Sequence, residues 1–210
     1  MTIYKFGEQT AKNVLIQPIS EHDLSLMEKE VNILQTMSKE KFCLIAVKIA
    51  DWNKELSPWE APAVFGNQPF GNGAKETLEK ITTLCTDREK SYFIGGYSLS
   101  GLFSIWAAYK TDVFSGVAAA SPSIWFPGFY DFMRNNLIKC PKIYLSLGDK
   151  EEKTKNKVMS AVGDYARRGV EVLKSRGVES ILEWNEGNHF KDADLRTAKA
   201  FAWVLKTSDN

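Results

Sequence analysis

Histidine is scarce in this chain: His22 and His189 are the two among 210 residues. No histidine cluster and no phosphate-cradling glycine loop occurs, so neither a metal nor an organic cofactor is expected. Cysteine is also sparse. Cys43, Cys85 and Cys140 are odd in number, widely spread and without a CxxC pair. That pattern argues against a disulfide framework or a zinc site and for reduced, buried thiols. A basic block is missing too. Lys+Arg number 27 against Asp+Glu 26, a net charge of +1, so no nucleic acid and no anionic membrane is expected as a partner. Long apolar runs are absent, and "FCLIAV" at 42–47 falls far short of a bilayer span. The start, "MTIYKFGEQT", lacks the basic and apolar segments of a signal peptide, which makes the cytoplasm the expected location.

What is present is ordinary globular material, 44% hydrophobic and 25% charged. Its length suits a single domain over 1–210. "NVLIQPI" (13–19) reads as a strand, after which Ser20 caps a helix with Leu24, Met27, Val31 and Leu34 on one face. "KFCLIAVKIA" (41–50) has the near-continuous apolar character of a strand buried on both sides. A proline- and glycine-rich stretch from Asp51 to Glu76 reads as a long surface loop, followed by the helical spacing of Leu78, Ile81, Leu84 and Cys85. "SYFIGGYS" is then a strand and "GLFSIWAAYK" a helix; "FSGVAAASPS" is a strand and "PGFYDFMRNN" a helix. "KIYLSLG" (142–148) is a strand, a helix covers about 157–176, "SILEWNEG" is the last strand and "DADLRTAKAFAWVLK" the closing helix. This alternation implies an α/β fold with a mostly parallel sheet flanked by helices.

One junction in that pattern carries chemistry. In "GGYSLSGLFSIWAAYK" (95–110), Ser98 stands where a strand meets an apolar helix. A serine on such a turn projects above the carboxyl edge of the sheet, with a helix N-terminus behind it to favour developing negative charge. The spelling alone is weak, and Ser100 replaces the second glycine of the strict nucleophile-elbow pattern. A serine nucleophile needs a base. His22 lies far upstream in a helix start, whereas His189 lies in the "EGNHFKD" loop between the last strand and the last helix. A third group should orient the imidazole, and chain order in this fold runs serine, acid, histidine. Asp149, Glu151 and Glu152 follow the "YLSLG" strand. Glu151 is the preferred acid, with Asp149 and Glu152 as alternatives; Asp149, directly after Gly148, also suits a turn cap.

With "GGYSLSGL", "FSGVAAASPSIW", "YLSLGDKEEKT" and "EGNHF" in place, the chain resembles an α/β-hydrolase of the putative esterase family, the group of esterase D and the ferric enterobactin esterases. The four pieces cover most of residues 91–190. The resemblance implies a single-domain α/β-hydrolase fold with a minimal or absent cap. It also implies a serine hydrolase acting on a small-molecule ester, with Ser98 as nucleophile and His189 as base. The expected reaction is acyl transfer through a covalent serine intermediate, with the acid holding the imidazole. The expected oxyanion donors are the backbone N–H of Leu99 and one N–H after the "AVKIA" strand, Trp52 first and Asn53 second. Trp106 and Trp203 read as core, while Trp52, Trp59 and Trp125 fall in loops at the carboxyl edge, as packing residues or an aromatic rim for the ester. An acyltransferase would use the same three groups. A non-catalytic binding module on the same fold is the rival from another class, kept open by Ser100 and by the choice among three acids.

Overall fold

Short runs of apolar and β-branched residues pair into one sheet in this computed structural model, which describes residues 1–64 and 66–206. The strands are β1 (Thr2–Gly7), β2 (Asn13–Ile19), β3 (Phe42–Lys48), β4 (Ser91–Tyr97), β5 (Phe114–Ala120), β6 (Lys142–Gly148) and β7 (Glu179–Asn185). They lie in the order β1-β3-β2-β4-β5-β6-β7. Strands β2 to β7 run parallel and β1 pairs antiparallel with β3 at the edge. The helices are α1 (Glu21–Leu24), α2 (Met27–Met37), α3 (Trp52–Leu56), α4 (Ala74–Thr82), α5 (Leu99–Lys110), α6 (Phe129–Asn135), α7 (Val162–Ser175) and α8 (Ala193–Leu205).

Helices cover both faces of the sheet. On one, Leu78, Ile81, Phe103, Trp106, Val170 and Leu173 bring α4, α5 and α7 into a large core. On the other, Met27, Val31 and Leu34 of α2 meet Ala198, Phe201 and Val204 of α8. Burial on both faces explains why β3, β5 and β6 read as apolar runs without alternation. Helix α5 follows the same logic, with every residue from Leu99 to Tyr109 buried.

Three local features differ from the sequence reading. Strand β1 was not expected; its residues are half-exposed at an edge, so "TIYKFG" lacks the apolar run that marks the inner strands. The helix after Ser20 is two helices. Ser25 N–H and Leu26 N–H bond to carbonyls three residues back, which ends α1 before α2 starts. The stretch after Asp51 contains α3, whose first turn is capped when Lys54 N–H donates to the Asp51 carboxylate at 3.0 Å.

Candidate active site

All strands that carry candidate residues run parallel, so the segments after them emerge at one edge. Ser98 follows β4 with no intervening loop, since α5 begins at Leu99. The chain turns this sharply by holding Ser98 at φ 56° and ψ −118°, a conformation that a side-chain-bearing residue rarely adopts. The turn also needs close packing behind it. A Cβ on Gly96 would fall onto the Ser100 hydroxyl. Ser100 is fully buried, and its Oγ donates to the Pro18 carbonyl at 2.8 Å, tying the elbow to β2. The missing second glycine is therefore accommodated: Gly96 leaves the space that Ser100 fills.

The downstream groups converge on that serine. His189 Nε2 lies 3.1 Å from Ser98 Oγ, and His189 Nδ1 lies 2.7 Å from Glu151 Oε2. Of the three candidate acids, Glu151 is the one that meets the imidazole. Asp149 instead accepts from the Gly187 N–H at 2.7 Å, which fixes the start of the histidine loop and holds the Asp149 carboxyl below its ordinary value. Glu152 pairs with Arg167 at 2.8 Å, away from the serine. His22 is exposed on α1.

Glu151 is buried, which by itself would push its carboxyl up. The His189 contact, the Gly148 N–H at 2.7 Å and the Ser121 hydroxyl at 2.8 Å together outweigh this, and the carboxyl is held below its ordinary value. A further partner is Arg196, from the first turn of α8 and 1% exposed. Its Nη1 donates to Glu151 Oε1 at 3.0 Å and to the Tyr97 hydroxyl at 3.0 Å. Its Nη2 donates to the carbonyls of Glu186 and Asn188 at 3.1 and 3.0 Å. Tyr97 completes the frame by donating to the His189 carbonyl at 2.7 Å. One buried guanidinium thus holds both the acid and the loop that bears the histidine. Sequence reasoning missed Arg196, Tyr97 and Ser121. It also missed Ser123, whose Oγ lies 3.3 Å from Ser98 Oγ and whose N–H donates to the Ser98 carbonyl.

The two expected backbone donors both open helices. Leu99 opens α5 and Trp52 opens α3, positions whose N–H groups have no intrahelical partner. Trp52 and Ser98 line one cavity of about 290 Å³, whereas Asn53 faces a different one. On its other side Ser98 opens onto a cavity of about 600 Å³ lined by Trp125, Met159, Phe190 and two lysines, Lys150 and Lys153. Trp59 is a packing residue: its ring lies against Phe126, Phe129 and Phe132, and its indole N–H donates to the Pro127 carbonyl. Among the described residues, no group of three or more His, Cys, Asp or Glu is arranged to hold a metal ion. No helix among them is long and apolar enough to cross a membrane.

Neither a protein-family model nor a curated protein matches the chain. Solved structures do. An IroE-like serine hydrolase from Shewanella oneidensis superposes with a TM-score of 0.73 at 13% identity, over 96% of this chain and 74% of that one. The siderophore hydrolase EstA from Aspergillus nidulans gives 0.63 at 17% identity, over 94% and 84%. Acyl-protein thioesterase 2 from Zea mays gives 0.59 at 12% identity, over 98% and 99%. At these identities the likeness is one of fold: the chain has the α/β-hydrolase architecture.

Proposed function

We propose that the protein is a serine hydrolase that cleaves carboxylic esters through an acyl-enzyme. The observation that carries this is the unbroken chain from Ser98 Oγ through the His189 ring to a buried Glu151, starting at a serine with a strained backbone. In the proposed reaction His189 Nε2 accepts the Ser98 proton as Oγ attacks the ester carbonyl. Glu151 fixes the tautomer through Nδ1–H and offsets the charge of the imidazolium. The oxyanion is held by the Leu99 and Trp52 N–H groups, each such donor being worth about 3 kcal/mol in the transition state. His189 then protonates the leaving alcohol and activates the water that releases the acid. The cavity beside Trp125 and Met159 suits an apolar part of the ester. The neighbours named as a serine hydrolase and a siderophore hydrolase support a hydrolase reading by analogy of fold.

The test is hydrolysis of 4-nitrophenyl butyrate. Ser98→Ala is expected to lower kcat/KM by about 10³-fold or more. Unchanged turnover in that variant, folded as judged by circular dichroism, would remove Ser98 from the reaction.

A further inference from the structure

The larger of the two cavities at Ser98 has a one-sided chemistry. The loop after β6 and the histidine loop after β7 contribute most of its wall. Lys150 and Lys153 line it, and the one carboxyl lining it, among the described residues, is Glu151. That carboxyl is already committed: it is buried, with one oxygen on His189 and the other on the buried Arg196 guanidinium. The neighbouring acids are held elsewhere. Asp149 accepts from the Gly187 N–H, Glu152 pairs with Arg167 and Glu186 pairs with Lys191, and none of the three lines the cavity. Lys150 and Lys153 are exposed, and neither forms an ion pair among the described residues. Their charges reach Asp149, and that of Lys150 also Glu186, only through space.

The uncharged polar groups lean the same way. Asn156 Oδ1 accepts from the N–H groups of Val158 and Met159 at 3.0 and 3.3 Å, and Asn188 Oδ1 accepts from the Phe190 N–H at 3.0 Å. Thr154 Oγ1 accepts from the Asn156 N–H at 3.3 Å. All three side chains line the cavity and are exposed, and each spends an acceptor on its own loop. What they have left to offer a ligand is donors, two amide NH₂ groups and one hydroxyl. Trp125, Met159 and Phe190 supply apolar surface, with Phe190 88% exposed and set edge-on to the His189 ring. A ligand here meets aromatic surface together with two unpaired cations and an excess of donors. We propose that the ester taken by this cavity is an anion, with an apolar body against Trp125, Met159 and Phe190 and a carboxylate-like group held by Lys150 and Lys153. The proposal rests on the esterase reading above and adds the charge of its substrate. Lysine is a point charge without a fixed fork, so the pair selects negative charge rather than one anion geometry. An anion about 6 Å from each of two exposed lysines gains about three-fold from each in water-like surroundings, about ten-fold together.

Two measurements test it. The first needs no turnover: binding of 4-phenylbutyrate and of its neutral isostere 4-phenylbutyramide is followed by ligand-observed NMR at low salt. The carboxylate is expected to bind about ten-fold more tightly, a ratio that falls toward one in Lys150→Gln/Lys153→Gln, inverts in Lys150→Glu/Lys153→Glu and shrinks in 0.5 M salt. Equal binding in the wild type, no binding of the carboxylate, or a ratio unmoved by the lysine variants overturns the anion site. The second compares kcat/KM within two ester pairs, 4-nitrophenyl hydrogen adipate against its methyl ester and 4-carboxyphenyl butyrate against 4-carbamoylphenyl butyrate. These carry the charge on the acyl half and on the alcohol half. Each ratio is compared between wild type and Lys150→Gln/Lys153→Gln, which cancels the intrinsic reactivity of the esters. A fall of about ten-fold is expected in one pair, and that pair identifies the half of the ester that fills the cavity; no fall in either overturns the assignment to substrate. If 4-phenylbutyrate binds as expected but none of the esters is cleaved, the esterase reading fails and the anion site stands. If the esters are cleaved with ratios that ignore the lysines and the two phenyl ligands bind alike, the anion site fails and the esterase reading stands.

Discussion

Arg196 Nη1 sits 3.0 Å from Glu151 Oε1, and both side chains are 1% exposed. Removing one partner of such a pair leaves the other charge buried and uncompensated, which typically costs about 3–5 kcal/mol. Arg196→Met is expected to show a loss of that size in urea unfolding, together with a fall in ester turnover as the acid and the histidine loop lose their common anchor. Arg196→Lys keeps the charge but cannot span Glu151 and the two loop carbonyls at once, so its loss is intermediate. An Arg196→Met protein of unchanged stability would contradict the network.

Each of the three acids has a distinct neighbour, which separates their variants. Glu151→Gln is expected to lower kcat by about 10³–10⁴-fold, because the amide cannot offset an imidazolium and favours the wrong tautomer. Asp149→Asn removes the charge from the Gly187 cap and is expected to lower stability slightly with a small effect on turnover. Glu152→Gln loses a partly exposed pair with Arg167 and is expected to change little. Steady-state kinetics on the three variants gives the ranking, and a larger loss in Asp149→Asn than in Glu151→Gln would reverse the assignment.

Gly96 and Ser100 are expected to behave as one unit. Gly96→Ala places a methyl group on the Ser100 hydroxyl, an overpacking that typically costs about 1–3 kcal/mol. Ser100→Gly removes the clash while losing the bond to Pro18. In a double-mutant cycle the two changes together should cost less than their sum by about 1 kcal/mol or more. Additive costs would mean that the two residues are not coupled.

These particulars show where the sequence was readable. Strands buried on both faces announce themselves, so β3, β4 and β6 and the junctions after them were legible, and with them Ser98 and the segment bearing Glu151. Edge strand β1 was not, because half-exposed residues leave no apolar run. The choice among Asp149, Glu151 and Glu152 turns on which way each side chain points over one turn, which spacing does not encode. Arg196 was invisible for a different reason. An arginine in a helical pattern reads as solvent-facing, and its burial follows from the acid and carbonyls that meet it in space.

Stability should depend on pH through Glu30. Its carboxyl rises from an ordinary 4.5 to about 8 in the folded chain, chiefly by burial. Between those values the native state holds a proton that the unfolded chain has released. This contribution is complete below about pH 4.5 and is lost as pH climbs toward 8, at up to about 1.4 kcal/mol per pH unit. Urea unfolding at pH 5, 6.5 and 8 should show the decline in the wild type and its loss in Glu30→Gln. Identical slopes for the two proteins would mean that Glu30 is not protonated in the native state.

The claim on which the functional account rests is that Ser98 is an activated nucleophile, and a fluorophosphonate probe tests it without knowledge of the substrate. The folded protein is expected to take up one equivalent, mapped by mass spectrometry to Ser98, and His189→Ala is expected to abolish the labelling. Labelling at Ser100, Ser121 or Ser123, or none in folded wild-type protein, would contradict it.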